Sequence, residues 1–278
     1  MDWVTDPLRY EFMRLALVSG ALVGVLCPVV GALLIVQRMA LISNVVAHSV
    51  LPGLVIAYAV RWPLLIGALV SGLLSTTVIA WVRSHSRIKA DAIMALVLSS
   101  FFALGVVCIT LFRTRLNLEA LLFGDILSVT PTDLWQVGAI VAIVVLAVRS
   151  FYKELLFFTF DRGGAEAAGL PVHHIDLGLT VATTLAIVAS LKTVGVILVV
   201  AMVVGPAITA YLWVRELHTM LMLGAALGIL ESLLGIYASF YLDLPSGAAI
   251  SLTIFAIFGL SFAVSPTQGG LQRWLKRS

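Results

Sequence analysis

Asn44 and His48 stand four residues apart in the stretch Ser43-Asn44-Val45-Val46-Ala47-His48-Ser49-Val50-Leu51-Pro52-Gly53. On a helix that spacing puts both side chains on one face. An amide oxygen beside an imidazole nitrogen suits a borderline-to-hard divalent ion such as manganese or zinc. The same pair also suits hydrogen bonding to a neighbouring helix, and the residues alone leave both readings open. Glu231 is the second candidate. It lies midway along the run 219–242, which carries no other charge. An ionised carboxylate there costs several kcal/mol unless it faces a protein interior or a wet cavity. Glu231 is therefore either a cation or proton site on a pathway, or a protonated group bonded to a neighbouring helix.

Other chemistries lack their residues. There is no Walker-type phosphate loop, so the chain does not hydrolyse ATP by that route. No Gly-x-Ser-x-Gly or His-Glu-x-x-His pattern supplies a hydrolase. Cys27 and Cys108, the only cysteines, exclude a disulfide framework and a cysteine-rich metal cage. His173 and His174 are adjacent and read as surface.

The elements that must position these residues are membrane helices. Of 278 residues, 61% are hydrophobic and 11% charged, against about 25% charged in soluble domains. A net charge of +3 spread over short loops makes no basic patch, which excludes a nucleic-acid partner. A spanning helix needs about 20 apolar residues. Runs 15–36, 64–82, 92–112, 193–214, 219–242 and 246–265 qualify, and the shorter 45–60, 134–148 and 177–191 either span with their flanks or are half-helices. The expectation is an all-α polytopic membrane protein of about eight to nine transmembrane helices, one transmembrane domain over 1–278. Pro52-Gly53 should break or kink its helix. Gly205 and Pro206 should kink theirs, with Gly195 packing closely. Lys192, between two runs, reads as snorkelling to an interface.

With nine spans, one side of the membrane receives Arg38, Arg83, Arg87, Lys89, Arg149, Lys153, Arg162, Arg215, Arg273, Lys276 and Arg277. The other receives Arg9, Arg14, Arg61, Arg113, Arg115 and Lys192. Eleven against six places the C-terminus in the cytoplasm of a multi-pass plasma-membrane protein, with the N-terminus outside. The longest hydrophilic interruption, 149–176, falls on the cytoplasmic side. Its middle, 160–171, reads as a short Ala-rich helix ended by Gly169 and Pro171, either a docking element or an ordinary connection.

Met39-Ala40-Leu41-Ile42-Ser43-Asn44 through Pro52-Gly53 resembles the signature of the permeases of manganese, zinc and iron-chelate ABC importers. Further blocks agree in order: Lys89-Ala90-Asp91-Ala92-Ile93 with Phe102-Ala103-Leu104-Gly105, and Leu122-Phe123-Gly124-Asp125-Ile126-Leu127. Then come Phe160-Asp161 with Ala168-Gly169-Leu170-Pro171, and 194–199 with Gly205-Pro206-Ala207. Leu244-Pro245-Ser246-Gly247-Ala248 and Ser265-Pro266 close the pattern. The resemblance covers roughly 12–266 and identifies the chain with the manganese type.

The resemblance implies a homodimeric pathway, a cytoplasmic ABC ATPase dimer and an extracytoplasmic metal-binding protein, all set in a lipid bilayer. No permanently bound cofactor is implied; the metal, Mn2+ or Zn2+, is the cargo. Family members carry Asp and His where this chain has Asn44 and His48, which shifts charge compensation onto Glu231. The resemblance also implies that Phe160, Asp161, Ala168, Gly169, Leu170 and Pro171 receive the ATPase's motion. The rival functions are a stand-alone proton-coupled secondary transporter using Glu231, and an intramembrane scaffold or enzyme.

Overall fold

The computed structural model describes residues 6–113, 124 and 126–265. Among these the apolar runs fold as helices and no strand forms. In chain order they are α1 (Glu11–Val36), α2 (Leu41–Ser49), α3 (Leu51–Val60), α4 (Leu64–His85), α5 (Ala90–Phe112), α6 (Pro131–Ser150), α7 (Tyr152–Phe160), α8 (Arg162–Ala167), α9 (Val172–Trp213), α10 (Leu217–Leu242) and α11 (Ser246–Val264). Eight stretches are long and apolar enough to cross a bilayer, with α2 and α3 counted together as Leu41–Val60. The expected polytopic all-α architecture is the one observed. The block 122–125 lies outside the described residues except for Gly124, as do Pro266 and the tail beyond it.

The sixth of these stretches, α9, has 42 residues and would run about 63 Å if straight, twice a bilayer's hydrocarbon core. It is not straight, because Gly195 leaves helical geometry at φ 79°, ψ 168°. Near the start of α9, Asp176 accepts a hydrogen bond from Arg162 of α8 at 2.9 Å. Near its end, Tyr211 and Val214 border one cavity with Thr159 and Phe160 of α7. Both ends therefore reach the same end of the bundle, and the chain folds back at Gly195. A rising arm, 172–194, and a returning arm, 196–213, turn eight long stretches into nine passes among the described residues. The reversal sits inside the protein, since Thr193, Val194 and Gly195 are all buried. Only glycine adopts that backbone cheaply. Gly124, also at positive φ, lies so close that a Cβ on it would stand 2.6 Å from the Val194 carbonyl oxygen.

The core lies where α9 wraps α1. In these two elements 72% of the apolar window is buried and in α2–α3 67%, against 22% in α6 and α11, so α1, α9 and α2–α3 are central while α6 and α11 are peripheral. Lipid offers apolar side chains no driving force to associate, so close backbone approach must hold the helices. α1 and α10 run antiparallel on such a seam: Gly20 meets Ser232, Gly24 meets Gly228, and Pro28 meets Gly224. A Cβ on Gly24 would stand 2.7 Å from the Gly228 carbonyl carbon.

The two expected helix breaks behave differently. At Pro52-Gly53 the helix does divide, into α2 and α3, although Val50 between them keeps helical angles of φ −71°, ψ −19°. The result is a bend rather than an unwound gap. Gly205 and Pro206 do not break their helix: the returning arm continues through them, and the kink belongs to Gly195 instead. Pro206 removes one amide, from the Met202 carbonyl, but its ring stays compatible with a helix whose neighbours hold it. Gly205 serves close packing, against Ile254 of α11.

Candidate functional site

α2 is buried on nearly every side. It packs on α4, α5 and α9, with Val46 and Val50 close to Gly72 of α4, which also meets Thr184 of the rising arm. From Ile42 to Val50, every residue is buried except Asn44 and His48, which are half-open. The two polar side chains that sequence spacing put on one helix face are thus the two that α2 leaves accessible. The His48 ring meets the Phe102 ring of α5 edge-on, centroids 5.7 Å apart at 83°, which limits how the imidazole can turn. Below it the backbone is also altered. Pro52 has no N–H to offer the His48 carbonyl, and the Ser71 hydroxyl of α4 donates to the Ser49 carbonyl at 2.5 Å. An imidazole nitrogen and an amide oxygen are therefore held on a bent helix, in protein that excludes most water. Among the described residues no cluster of three or more His, Cys, Asp or Glu side chains could enclose a metal. The pair by itself offers one imidazole and one amide on the open face of α2.

Glu231 lies elsewhere. It is fully buried on α10, which packs against α1, α11 and α9, and neither carboxyl oxygen has a hydrogen-bond partner among the described residues. Its neighbour Ser232 donates weakly to the Met202 sulfur of the returning arm, at 3.6 Å. The returning arm reaches α10 through that contact. Asn44 and His48 share the open face of α2, whereas Glu231 lies on a different helix, α10.

At the other end of the bundle, the loop expected over 160–171 divides between two helices. Phe160 closes α7. Asp161 caps α8, its carboxylate accepting the Gly164 N–H at 2.8 Å. Ala165 is fully buried, Ala168 ends the helix, and Gly169 leaves it at φ 80°. Leu170 and Pro171 then lead straight into α9. Arg162 sits over the Phe158 ring at 5.3 Å and reaches Asp176, which fixes α8 between the foot of α6–α7 and the foot of the rising arm. His173 and His174 remain exposed, as expected.

Lys192 has a partner that its sequence position did not reveal. Its side chain is largely exposed and its ammonium pairs with Asp133 at the head of α6. Asp133 closes a capping box with Thr130, whose N–H donates to it at 3.2 Å and whose hydroxyl donates at 2.7 Å. Thr130-x-x-Asp133 was readable as a cap, but a sequence separation of 59 hid the partner. The helices flanking α7–α8, namely α6 and the rising arm, are thereby clasped at their far ends into one closed strut. Lys192→Met should strand an aspartate side chain that is 11% exposed, costing about 1–3 kcal/mol. The checks are a lower unfolding midpoint in detergent and restoration by Asp133→Asn in the same chain. An unchanged midpoint would show that the clasp adds nothing.

A multi-pass helical bundle with a polar pair on a bent inner helix, and a capped loop helix strutted at one end, is a transport permease in design. The sequence pattern of the ABC 3 transport family matches residues 9–265, and the chain belongs to that family. It is 41% identical over 268 residues to the manganese transport system membrane protein MntC of Halalkalibacterium halodurans, covering 96% of this chain and 92% of that one. A Haemophilus influenzae protein described as a probable iron transport system membrane protein is 35% identical, over 98% and 97% of the two chains. Among solved structures, PsaBC from Streptococcus pneumoniae in complex with Fab contains a chain that superposes with a TM-score of 0.88. That chain is 34% identical, with 99% of this chain and 98% of that chain covered. The protein is a multi-pass membrane permease and not itself an enzyme.

Proposed function

We propose that the chain is the permease subunit of an ATP-driven importer of divalent metal, manganese before zinc or iron. The observation that carries this is that Asn44 and His48 are the two residues left accessible between Ile42 and Val50 of the otherwise buried inner helix α2. The names of its relatives support a metal as cargo, with manganese the most frequent and iron also represented. A half-site with one imidazole and one amide needs completion, and a second copy of the chain is its simplest source. The pathway is then the interface of a homodimer, and alternating access exposes the pairs first outside and then inside.

The bundle end that carries α7 and α8 also bears Arg38, Arg83, Arg87, Lys89, Arg149, Lys153, Arg162 and Arg215, which supports its facing the cytoplasm. The C-terminus then lies inside and the membrane is the plasma membrane. A cytoplasmic ATPase dimer docks on α8, and an extracytoplasmic metal-binding protein delivers the ion to the opposite end. The test is uptake of radioactive manganese into vesicles holding the complete importer, with zinc and ferrous iron as competitors. ATP inside the vesicle should drive uptake with no proton gradient. Uptake that follows a proton gradient and ignores ATP would instead favour a secondary transporter.

Glu231 forms a second station of the path. A divalent cation in low dielectric requires compensating negative charge, and Asn44 brings only a dipole. Glu231→Gln keeps shape and removes the charge, so manganese uptake should fall while expression and dimer assembly hold. Parental uptake in this variant would make the carboxyl a packing group.

A further inference from the structure

At the foot of the bundle, α1 ends, the returning arm ends and α10 begins around a cavity of about 650 Å³. Its lining is apolar where it is buried or half-buried, through Ile35, Val36, Leu217 and Met220, and basic at its exposed mouth, through Arg38 and Arg215. Neither arginine forms an ion pair with any described residue. Glu216, next to Arg215 in sequence, lies 3.5 Å from His218 instead, and the Asp161 carboxylate accepts the Gly164 N–H. Arg38 holds a left-handed backbone at φ 59°, which a non-glycine residue adopts only where the surroundings impose it. The third positive element is the start of α10. Glu216, its N-cap, makes no side-chain cap bond, so the first-turn amides of a 26-residue helix remain open beside Leu217. Such an end favours an anion.

Two unpaired guanidinium groups and an uncapped helix start call for a phosphate. A free phosphate would fill only the mouth and leave the four apolar walls wet. We propose that this cavity binds the headgroup phosphate of an anionic phospholipid from the leaflet on the α7–α8 side, with the first carbons of its chains against Ile35, Val36, Leu217 and Met220. Basic pockets between transmembrane helices at the cytoplasmic surface are suited to such headgroups. Thr159 and Phe160 also border the cavity, and the Gln37 amide at the foot of α1 donates to the Thr159 hydroxyl at 3.5 Å. The lipid therefore touches the helix that leads into α8, and its occupancy sets how firmly α8 is held. The site is read from α1, α9 and α10 and stands whether or not the cargo is manganese.

The test uses the full-length chain in nanodiscs of phosphatidylcholine with increasing phosphatidylglycerol, followed by native mass spectrometry of the protein with its retained lipid. Parent protein should retain phosphatidylglycerol selectively. Arg38→Gln and Arg215→Gln should each weaken retention about fivefold, and together about thirtyfold. Arg38→Lys with Arg215→Lys keeps the charges and should retain most of it. Arg149→Gln, on the same side but away from the cavity, should change nothing. Equal losses for Arg149→Gln would reduce the effect to general surface charge and overturn the proposal. Displacement by millimolar inorganic phosphate would mark a free-phosphate site and overturn the lipid assignment. Loss of a copurifying ATPase by the double glutamine variant, equally in both lipids and with phosphatidylglycerol retention unchanged, would assign the arginines to protein docking.

Discussion

Replacing His48 with alanine should abolish metal uptake while leaving membrane insertion and assembly intact. The imidazole is one of two polar side chains open along α2, and its ring is positioned by Phe102 at 5.7 Å. Partners that merely orient a ligand are worth about 10–100-fold in metal affinity, so removing the ligand itself should cost at least that much. Alanine is tolerated here structurally because the side chain is only half-buried and forms no hydrogen bond that holds the bundle together. Acidification acts in the same direction, since a protonated imidazole has no lone pair for a cation. The measurement is radioactive manganese uptake at matched expression, with dimer content checked on a sizing column. Normal uptake by His48→Ala would remove the metal path from α2. Asn44→Asp provides the complementary result: restoring a carboxylate should tighten metal retention and slow release.

Ala167→Pro should separate ATP hydrolysis from transport. α8 has six residues, far too few to be stable alone, and it holds because Asp161 caps its start and Ala165 is buried beneath it. A proline in a helix costs about 3 kcal/mol through the lost amide and the clash with the preceding turn, more than this helix can absorb. The strut of α6 and the rising arm would then carry no stroke from its foot to the Lys192–Asp133 clasp. Expected results are loss of ATPase copurification, or hydrolysis no longer stimulated by metal and its delivery protein. Asp161→Ala, which removes only the cap and about 1 kcal/mol, should give a graded version of the same defect. Metal-stimulated hydrolysis at the parental level in Ala167→Pro would mean that α8 is a connection and nothing more.

The sequence by itself determined that the chain is a bundle of membrane helices, because lipid admits few alternatives to runs of apolar residues that satisfy their own backbone. It also determined that Asn44 and His48 share a face, since i to i+4 spacing is a property of any helix. The bend at Pro52 and the capped helix after Asp161 were legible for the same reason: proline chemistry and capping act within one turn of chain. Gly205-Pro206 misled because proline removes an amide locally, while only the packing of α1, α10 and α11 around the arm decides whether the chain then turns. The reversal at Gly195 was half legible, as a boundary between two runs. Its location inside the protein depended on Gly124, from a distant segment, fitting against Val194. Lys192 with Asp133, the complete burial of Glu231, and the two arginines at the foot of α1 and α10 were decided by the tertiary structure alone. Each joins residues far apart in the chain, and the periodicity of one helix carries no information about which other helix it will meet.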